Sequence, residues 1–443
     1  MKKFLALIIS LSMILMCVPG ISLVASAMEG EGTPENPYVI AEAADFLAVF
    51  AAGGTLATYK DAYFVQTADI NLGTYTPDNT VAFAGTYDAQ GNTITYNATA
   101  VDANGTGAFG KVVGGTIKNL TVAGSLNTGG KNLVGGVAGY SDGATYINCT
   151  NTIAIIGTSG GNYNGGIAGG ATSSKAAHTF INCKNEANLS FKWGINGGIL
   201  GIGFGTFTDC MNSGIIHNSS GGQAAGIVSN AVADASVAAT AFVTITRCVN
   251  TGKIYAGTNS NNHMGGMIGE VSNLNNVSIS QSYNTADVGT ASNNSTPASS
   301  GPMIGLIRDT MKGENPSITI TNCYNIGGWG DNGSARRTGG VIGSHTSTNA
   351  AITVSSYYDT YRWGFQYGMF GYEEPSNPIV KENLYYVYPD DKTPASQGAS
   401  FKNPYPISQA EMKAGLPTGF SEDVWVAVPD ALPQLKCFTG SAD

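Results

Sequence analysis

The sequence predicts an all-β chain, a parallel β-helix in which each coil stacks on a copy of itself. Two recurring markers and the composition carry that expectation. The first marker is Cys248-Val-Asn-Thr-Gly-Lys-Ile254, with copies at Cys149-Thr-Asn151, Cys183-Lys-Asn185, Cys210-Met-Asn212, Ser282-Tyr-Asn284, Cys323-Tyr-Asn325 and Tyr357-Tyr-Asp359. Read with period two, its columns are Cys, Asn, a small residue and an apolar one, which is the signature of a strand repeated rung after rung. The second marker is Gly-Gly, two mostly aliphatic residues, then Gly, beginning at Gly135, Gly165, Gly197, Gly265 and Gly339, with looser copies at Thr106, Ala225 and Gly301. Glycine is 60 of 443 residues and charged residues only 12%, which suits β-structure with many tight turns. No Gly-X-Y period is present and 42% of residues are apolar, so collagen and disorder are both excluded.

Residues 1–27 read as a secretory signal. Lys2 and Lys3 precede the apolar run Phe4–Met16, and Ala25-Ser26-Ala27 offers a small-residue cleavage site. No later apolar run reaches the roughly eighteen residues of a membrane span. The chain is therefore expected to be exported, either secreted or on a bacterial surface. A net charge of −9 argues against nucleic acid as a partner, because phosphate binding needs a basic face.

Residues 28–104 form an expected N-terminal cap and first coils. Ala43–Phe50 has the pattern of an amphipathic helix with Asp45 near its start, suited to closing the open end of a solenoid. Tyr63–Leu72 and Phe83–Ile94 alternate as strands with Gly and Asn turns between them.

Regular coils are expected over 105–363. From Cys183 to Gly197 and from Cys210 to Ala225 the spacing is nearly fixed, whereas Gly197 to Cys210 is short and Ala225 to Cys248 long. Insertions therefore leave from one edge of the stack, where repeat proteins often make their contacts. Cys149, Cys183, Cys210, Cys248 and Cys323 share one inward slot that Leu120, Ser282 and Tyr357 also fill. Buried free thiols are the preferred reading and disulfides between rungs the alternative, since strands about 4.8 Å apart would bring neighbours close. Asn151, Asn185, Asn212, Asn250, Asn284 and Asn325 are expected to form a ladder of stacked amides at the bend, with Asp359 as its last step. Residues 364–443, rich in aromatics and Pro, are expected to form a C-terminal cap.

At these residues the chain resembles the GLUG-motif repeats of bacterial surface and secreted proteins. The Gly-Gly-Ile-Ala-Gly and Ile-x-x-Cys-x-Asn-x-Gly-x-Ile copies carry the likeness, with Gly107-Ala-Phe-Gly110 and Asp69-Ile-Asn-Leu72 similar to opening coils and Leu432-Pro-Gln-Leu435 to closing ones. The resemblance covers about residues 30 to 435 and implies a right-handed parallel β-helix of pectate-lyase-like shape. It also implies adhesin-like roles or the non-catalytic parts of larger enzymes. Ser282, Tyr357 and Gly301-Pro302 depart from its pattern.

No catalytic set emerges from the residues. A glycosidase needs two carboxylates facing one groove, and the acids between residues 100 and 360 are scattered. The adjacent pairs Glu373-Glu374, Asp390-Asp391 and Glu422-Asp423 lie in the Pro-rich C-terminal part. His178, His217, His263 and His345 each stand alone in a coil, so no zinc motif and no cofactor is expected. Gly157-Thr-Ser-Gly-Gly161 matches a nucleophile elbow by letter, but no helix follows it. Tyr357, Tyr361, Trp363 and Trp329 fall in inward columns.

The outward column next to Cys reads Thr150, Lys184, Met211, Val249, Tyr283, Tyr324, Tyr358. Two uses of its three tyrosines compete. The first is cover by the C-terminal tail, because an apolar strip seldom stays bare; the second is a stacked platform for a glycan. The expectation is a non-catalytic adhesive surface binding carbohydrate or a host or neighbouring-cell protein. A polysaccharide lyase or hydrolase is the alternative, and a structural spacer the third.

Overall fold

A computed structural model describes residues 28–100, 105–158, 163–257, 262–290, 299–328, 337–360, 368–388 and 405–439. The signal segment, Asp390-Asp391, Trp329, Tyr361 and Trp363 lie outside the described residues. Almost every strand pairs in parallel with the equivalent strand one coil away, in one sheet of 30 strands and another of nine. This is a parallel β-helix.

One complete coil shows the plan. Gly205–Thr208 runs to a corner at Asp209, Met211–Asn212 leaves it, Ile216–Ala225 crosses the next face, and Val228–Ala231 belongs to the nine-stranded sheet. Side chains alternate, so Phe207, Cys210, Asn212, Ile216 and Asn218 point inward and are fully buried. Because coils stack in register, each inward position becomes a column: Tyr146, Phe180 and Phe207 stack at 4.9 and 5.0 Å between ring centroids. The rings are nearly parallel because the register leaves each one directly over the last.

The corner residue adopts a left-handed conformation in coil after coil. Asn119, Asn148, Asn182, Asp209, Arg247, Gln281, Asn322 and Ser356 have φ between 50 and 56°. Asn and Asp tolerate this region best among non-glycine residues, which explains why they so often precede the Cys slot. Three of these amides also chain together outside the core: Asn182 donates to Asn148 at 2.9 Å, Asn148 to Asn119 at 2.8 Å, and Asn119 to Asp88 at 2.9 Å.

The five column cysteines are free and buried. Each thiol faces a carbonyl of the preceding coil, from Cys149 Sγ to Ile117 O at 3.4 Å to Cys323 Sγ to Ile279 O at 3.8 Å. The slot thus takes a small side chain with a weak donor. Ser282 meets the same demand, accepting from the Cys248 amide at 3.0 Å and donating to Ser280 O at 2.8 Å.

The inner asparagines form one continuous ladder. Asn151 donates to Asn185, Asn185 to Asn212, Asn212 to Asn250, Asn250 to Asn284, Asn284 to Asn325 and Asn325 to Asp359, all at 2.7–2.8 Å. The second amide hydrogen of each Asn goes to the carbonyl two residues on, as in Asn250 to Gly252 O at 3.0 Å. Buried amide groups are satisfied in this way at a bend where no backbone ladder reaches them. The second glycine of each Gly-Gly packs on these amides. A Cβ at Gly166, Gly198 or Gly226 would lie 2.5–2.6 Å from the Oδ1 of Asn185, Asn212 or Asn250. The two sequence markers are therefore two sides of one contact.

At the N-terminal end the helix α1 (Ala43–Phe50) lies over the first coils. Phe46, Val49 and Phe50 are buried, and Phe50 meets Phe64, Phe83, Tyr87 and Phe109 with centroids 5.1–5.8 Å apart. A capping box starts the helix, with Asp45 accepting from the Glu42 amide at 3.0 Å.

The C-terminal part differs from a simple cap beginning at 364. Phe370–Tyr372, Val380–Tyr388 and Tyr405–Ser408 continue the parallel rungs, with Leu384 paired to Tyr357 and Tyr385 to Tyr358. Only the following residues leave the stack. The short helix α2 (Gln409–Lys413) and the antiparallel pair Trp425–Val426 and Gln434–Leu435 fold back along its side.

Candidate functional site

That fold-back decides the outward tyrosine column. Tyr283 and Tyr324 stack at 4.7 Å with planes 4° apart, and Tyr358 stacks on Tyr385 at 4.5 Å. Trp425 lies 6.0 Å from Tyr283 and 5.7 Å from Tyr324, with Phe420 stacked on Trp425 at 4.4 Å. Met412 and Leu435 join the same apolar cluster, which begins at Val249. Tyr324 donates to Pro433 O at 2.8 Å and Tyr358 to Thr418 O at 3.1 Å. Tyr283, Tyr324 and Tyr358 are consequently 8, 2 and 1% exposed. Burial pushes the Tyr283 phenol up to about 12. The reading of these three residues as an open glycan platform is corrected: the tail covers their faces and takes two of their hydroxyls.

The polar features of the outer surface collect elsewhere. Each Gly-Gly-x-x-Gly bends the chain so sharply that the strands before and after it lie side by side. A Cβ at Gly305 would stand 2.7 Å from Met264 O, and one at Gly343 2.4 Å from the Ser300 amide. Just outside this contact two columns of side chains run along the stack. One carries Ile195, Gln223, His263 and Ser299 in register; the other carries Ile202, Asn230, Glu270, Leu306, Ser344 and Tyr372.

Glu270 gathers the polar side chains of these columns and is only 3% exposed. Arg308 clasps it in a fork, Nε to Oε1 at 2.5 Å and Nη2 to Oε2 at 2.9 Å. Gln223 Nε2 donates to Oε2 at 2.6 Å, and His263 Nε2 stands 3.7 Å from the same oxygen. A buried carboxylate persists when its charge is paired and its lone pairs are filled, and here they are. Burial, followed by the charges of Arg308 and Arg337, lowers His263 to about 4. Neutral His263, Arg308 and the side-chain amide of Gln223 thus surround one anion.

The other histidines serve separate contacts. His178 is buried, with Nδ1 3.2 Å from Phe204 O; His217 stacks on Tyr255 at 4.2 Å; His345 Nε2 accepts from the Glu374 amide at 3.2 Å. Among the described residues no group of three His, Cys, Asp or Glu is placed to hold a metal ion. Gly157 ends the strand Ala154–Gly157, and residues 159–161 of the Gly-x-Ser-x-Gly match lie outside the described residues. Sequence reasoning missed this cluster. The available signal was His263 two residues before and Glu270 directly after Gly265-Gly-Met-Ile-Gly269.

The edge after the nine-stranded sheet carries the loops of unequal length, 171–177, 232–241 and 308–316. They are tied from coil to coil. Ser174 Oγ donates to Asp142 at 2.8 Å, the Asp234 amide to Ser174 O at 2.8 Å, Thr348 Oγ1 to Asp309 at 2.9 Å, and Asn377 Nδ2 to Ser347 O at 3.0 Å.

These features define a class: a parallel β-helix with one wall of fastened loops and a buried polar cluster around Glu270. No protein-family model and no curated protein matches the chain. Among solved structures it is similar to a candidate immunoglobulin A1 protease from Bacteroides ovatus, with 14% identity, 92% of this chain and 94% of that one covered, and a TM-score of 0.37. So low a TM-score carries no argument about activity.

Proposed function

We propose that this chain is an exported bacterial β-helix of the GLUG-repeat kind, non-catalytic, whose loop-bearing edge adheres to a glycan or to a host or neighbouring-cell protein. The observation that carries the reading is the fastened edge. Loops that differ in length and sequence emerge from one side of an otherwise repetitive stack, and side-chain hydrogen bonds hold them in place. A surface already ordered loses little entropy on binding, which favours recognition by a rigid scaffold. Among the described residues no helix is long and apolar enough to cross a membrane.

The test is binding of the purified chain to glycan and protein arrays and to intact cells, with loop 232–241 replaced by a short Gly-Ser turn. Loss of binding with an unchanged circular dichroism spectrum supports adhesion. Undiminished binding moves adhesion away from this loop, and binding by neither protein leaves a structural spacer. A polysaccharide-degrading enzyme is the second reading, favoured by Glu270 and His263 lying 3.7 Å apart. Release of reducing or unsaturated products from a polysaccharide panel would establish it and end the non-catalytic reading.

A further inference from the structure

One sheet face of the stack is more uniform than exposure to water requires. Thr206-Phe-Thr208, Thr244-Ile-Thr246, Ser278-Ile-Ser280, Thr319-Ile-Thr321 and Thr353-Val-Ser355 pair in register, coil on coil, with no bulge between them. The middle residue of each triplet is buried in the core, so its two neighbours point outward, and all of these neighbours are at least partly exposed. Two columns of hydroxyls result. The two preceding coils extend the face with Thr145 and Ile147, then Thr179 and Ile181. No charge stands in either column until Lys118 at one end and Glu382 at the other.

Strand propensity alone does not account for this. Thr suits any outward strand position, yet neighbouring outward columns mix Lys184, Met211 and Tyr283, or Ile215, Lys253 and Asp287. This face keeps to Thr, Ser and Ile. Its hydroxyls are also spare. Ser355 donates to Thr321 at 3.1 Å, and Thr246 and Ser280 lie 3.4 Å apart. Among the described residues the hydroxyls of Thr206, Thr208, Thr244, Ser278, Thr319 and Thr353 meet no protein partner and face solvent.

The regularity sets what can match it. The hydroxyls repeat about every 4.8 Å from coil to coil and about 6.6 Å along the strand, twice the rise per residue. A partner that answers every position must itself repeat in two perpendicular directions, as a crystal surface does. The oxygens on the prism faces of hexagonal ice repeat over similar distances in both. β-Branched side chains are stiff, so the array is set before contact. Their methyl groups order the first layer of water, their hydroxyls tie it down, and no charge imposes a hydration shell of its own. A second copy of the chain fits less well, since the face measures roughly 30 by 10 Å, about 300 Å² against the ~800 Å² per partner of a stable interface. A crystalline polysaccharide also fits less well, because sugar rings pack on aromatic faces and neither column has one between Thr145 and Ser355.

We propose that this face binds ice, its two columns anchoring the ordered water layer that joins the growing crystal. The inference is independent of the adhesive edge, because the loops 171–177 and 232–241 contribute none of these residues.

Two measurements on the full chain test it: its partition between slowly grown ice and the remaining liquid, and the shape and freezing gap of single ice crystals in its solution. The chain is expected to enter the ice while serum albumin stays in the liquid, and to facet the crystals. Thr206→Lys combined with Thr244→Lys should abolish both effects without moving the melting temperature. Thr150→Lys, on the neighbouring column, should leave both intact. Exclusion from the ice with round crystals overturns the proposal, whether or not crystalline chitin or cellulose retains the chain. So does a full effect in the folded double variant. The comparison with albumin uses the unaltered chain, so it stands whether or not the variant folds.

Discussion

Gly226 lies against the side chain of Asn250: a Cβ at position 226 would stand 2.5 Å from Asn250 Oδ1 and 2.4 Å from Gly266 O. Neither neighbour is free to retreat, since one is backbone and the other is bonded within a ladder. Gly226→Ala should therefore destabilise the fold by about 1–3 kcal/mol, the usual cost of overpacking. Gly415→Ala, where no atom lies within 4 Å, should be close to neutral. Thermal unfolding of the two variants checks the contrast.

Removing the amide itself should cost more. Asn250→Ala leaves the Asn212 donor and the Asn284 acceptor without their partners, at 2.8 and 2.7 Å respectively. Each orphaned buried group costs about 1–3 kcal/mol. A marked fall in the urea midpoint is expected, and an unchanged midpoint would mean the ladder contributes nothing.

The tail can be read through tyrosine ionisation. Burial first, then Cys437, holds the Tyr283 phenol up to about 12. Trp425→Ala should bring it back toward the ordinary value of about 10 and destabilise the chain by about 3–5 kcal/mol. Spectrophotometric titration of tyrosinate follows the first effect and thermal unfolding the second. If Tyr283 still ionises near 12 in the variant, Trp425 is not what covers it.

Acid should weaken the fold through His263. The folded chain holds this residue at about 4, while the unfolded chain protonates it near 6.5. Between those values the unfolded state binds more protons, so stability falls as pH falls, by on the order of 3 kcal/mol. Above about 6.5 the residue adds no slope. Burial lowers His178 and His345 too, in the same sense. His263→Gln should flatten the stability profile between pH 6.5 and 4, measured by urea unfolding across that range.

The coils were legible because an inward slot repeats its demand at every rung. Cys149, Cys183 and Cys210 fill one pocket shape, and Asn151 to Asn325 answer one bend. The corner asparagines were equally periodic, but their signal is a backbone angle rather than a hydrophobic pattern. The Glu270 cluster was not legible. Gln223, the pair His263 and Glu270, and Arg308 come from three successive coils joined by loops of unequal length, and these outward positions carry no repeated constraint. The tail misled for a local reason: Pro-rich surroundings hid that Leu384-Tyr385-Tyr386 is one more copy of Tyr357-Tyr358-Asp359.

Two of the asparagine ladders, those from Asn151 and from Asn182, give the molecule a polarity along its axis. In the one that starts at Asn151 each amide points one N–H toward the C-terminal end, so the small dipoles add and the column becomes positive where it finishes. It finishes on Asp359. The outer ladder runs the opposite way, from Asn182 through Asn148 and Asn119, and finishes on Asp88. Each column therefore meets a carboxylate at its positive terminus. A coil inserted upside down would set amide hydrogen against amide hydrogen, and the stack can grow by repetition in only one sense.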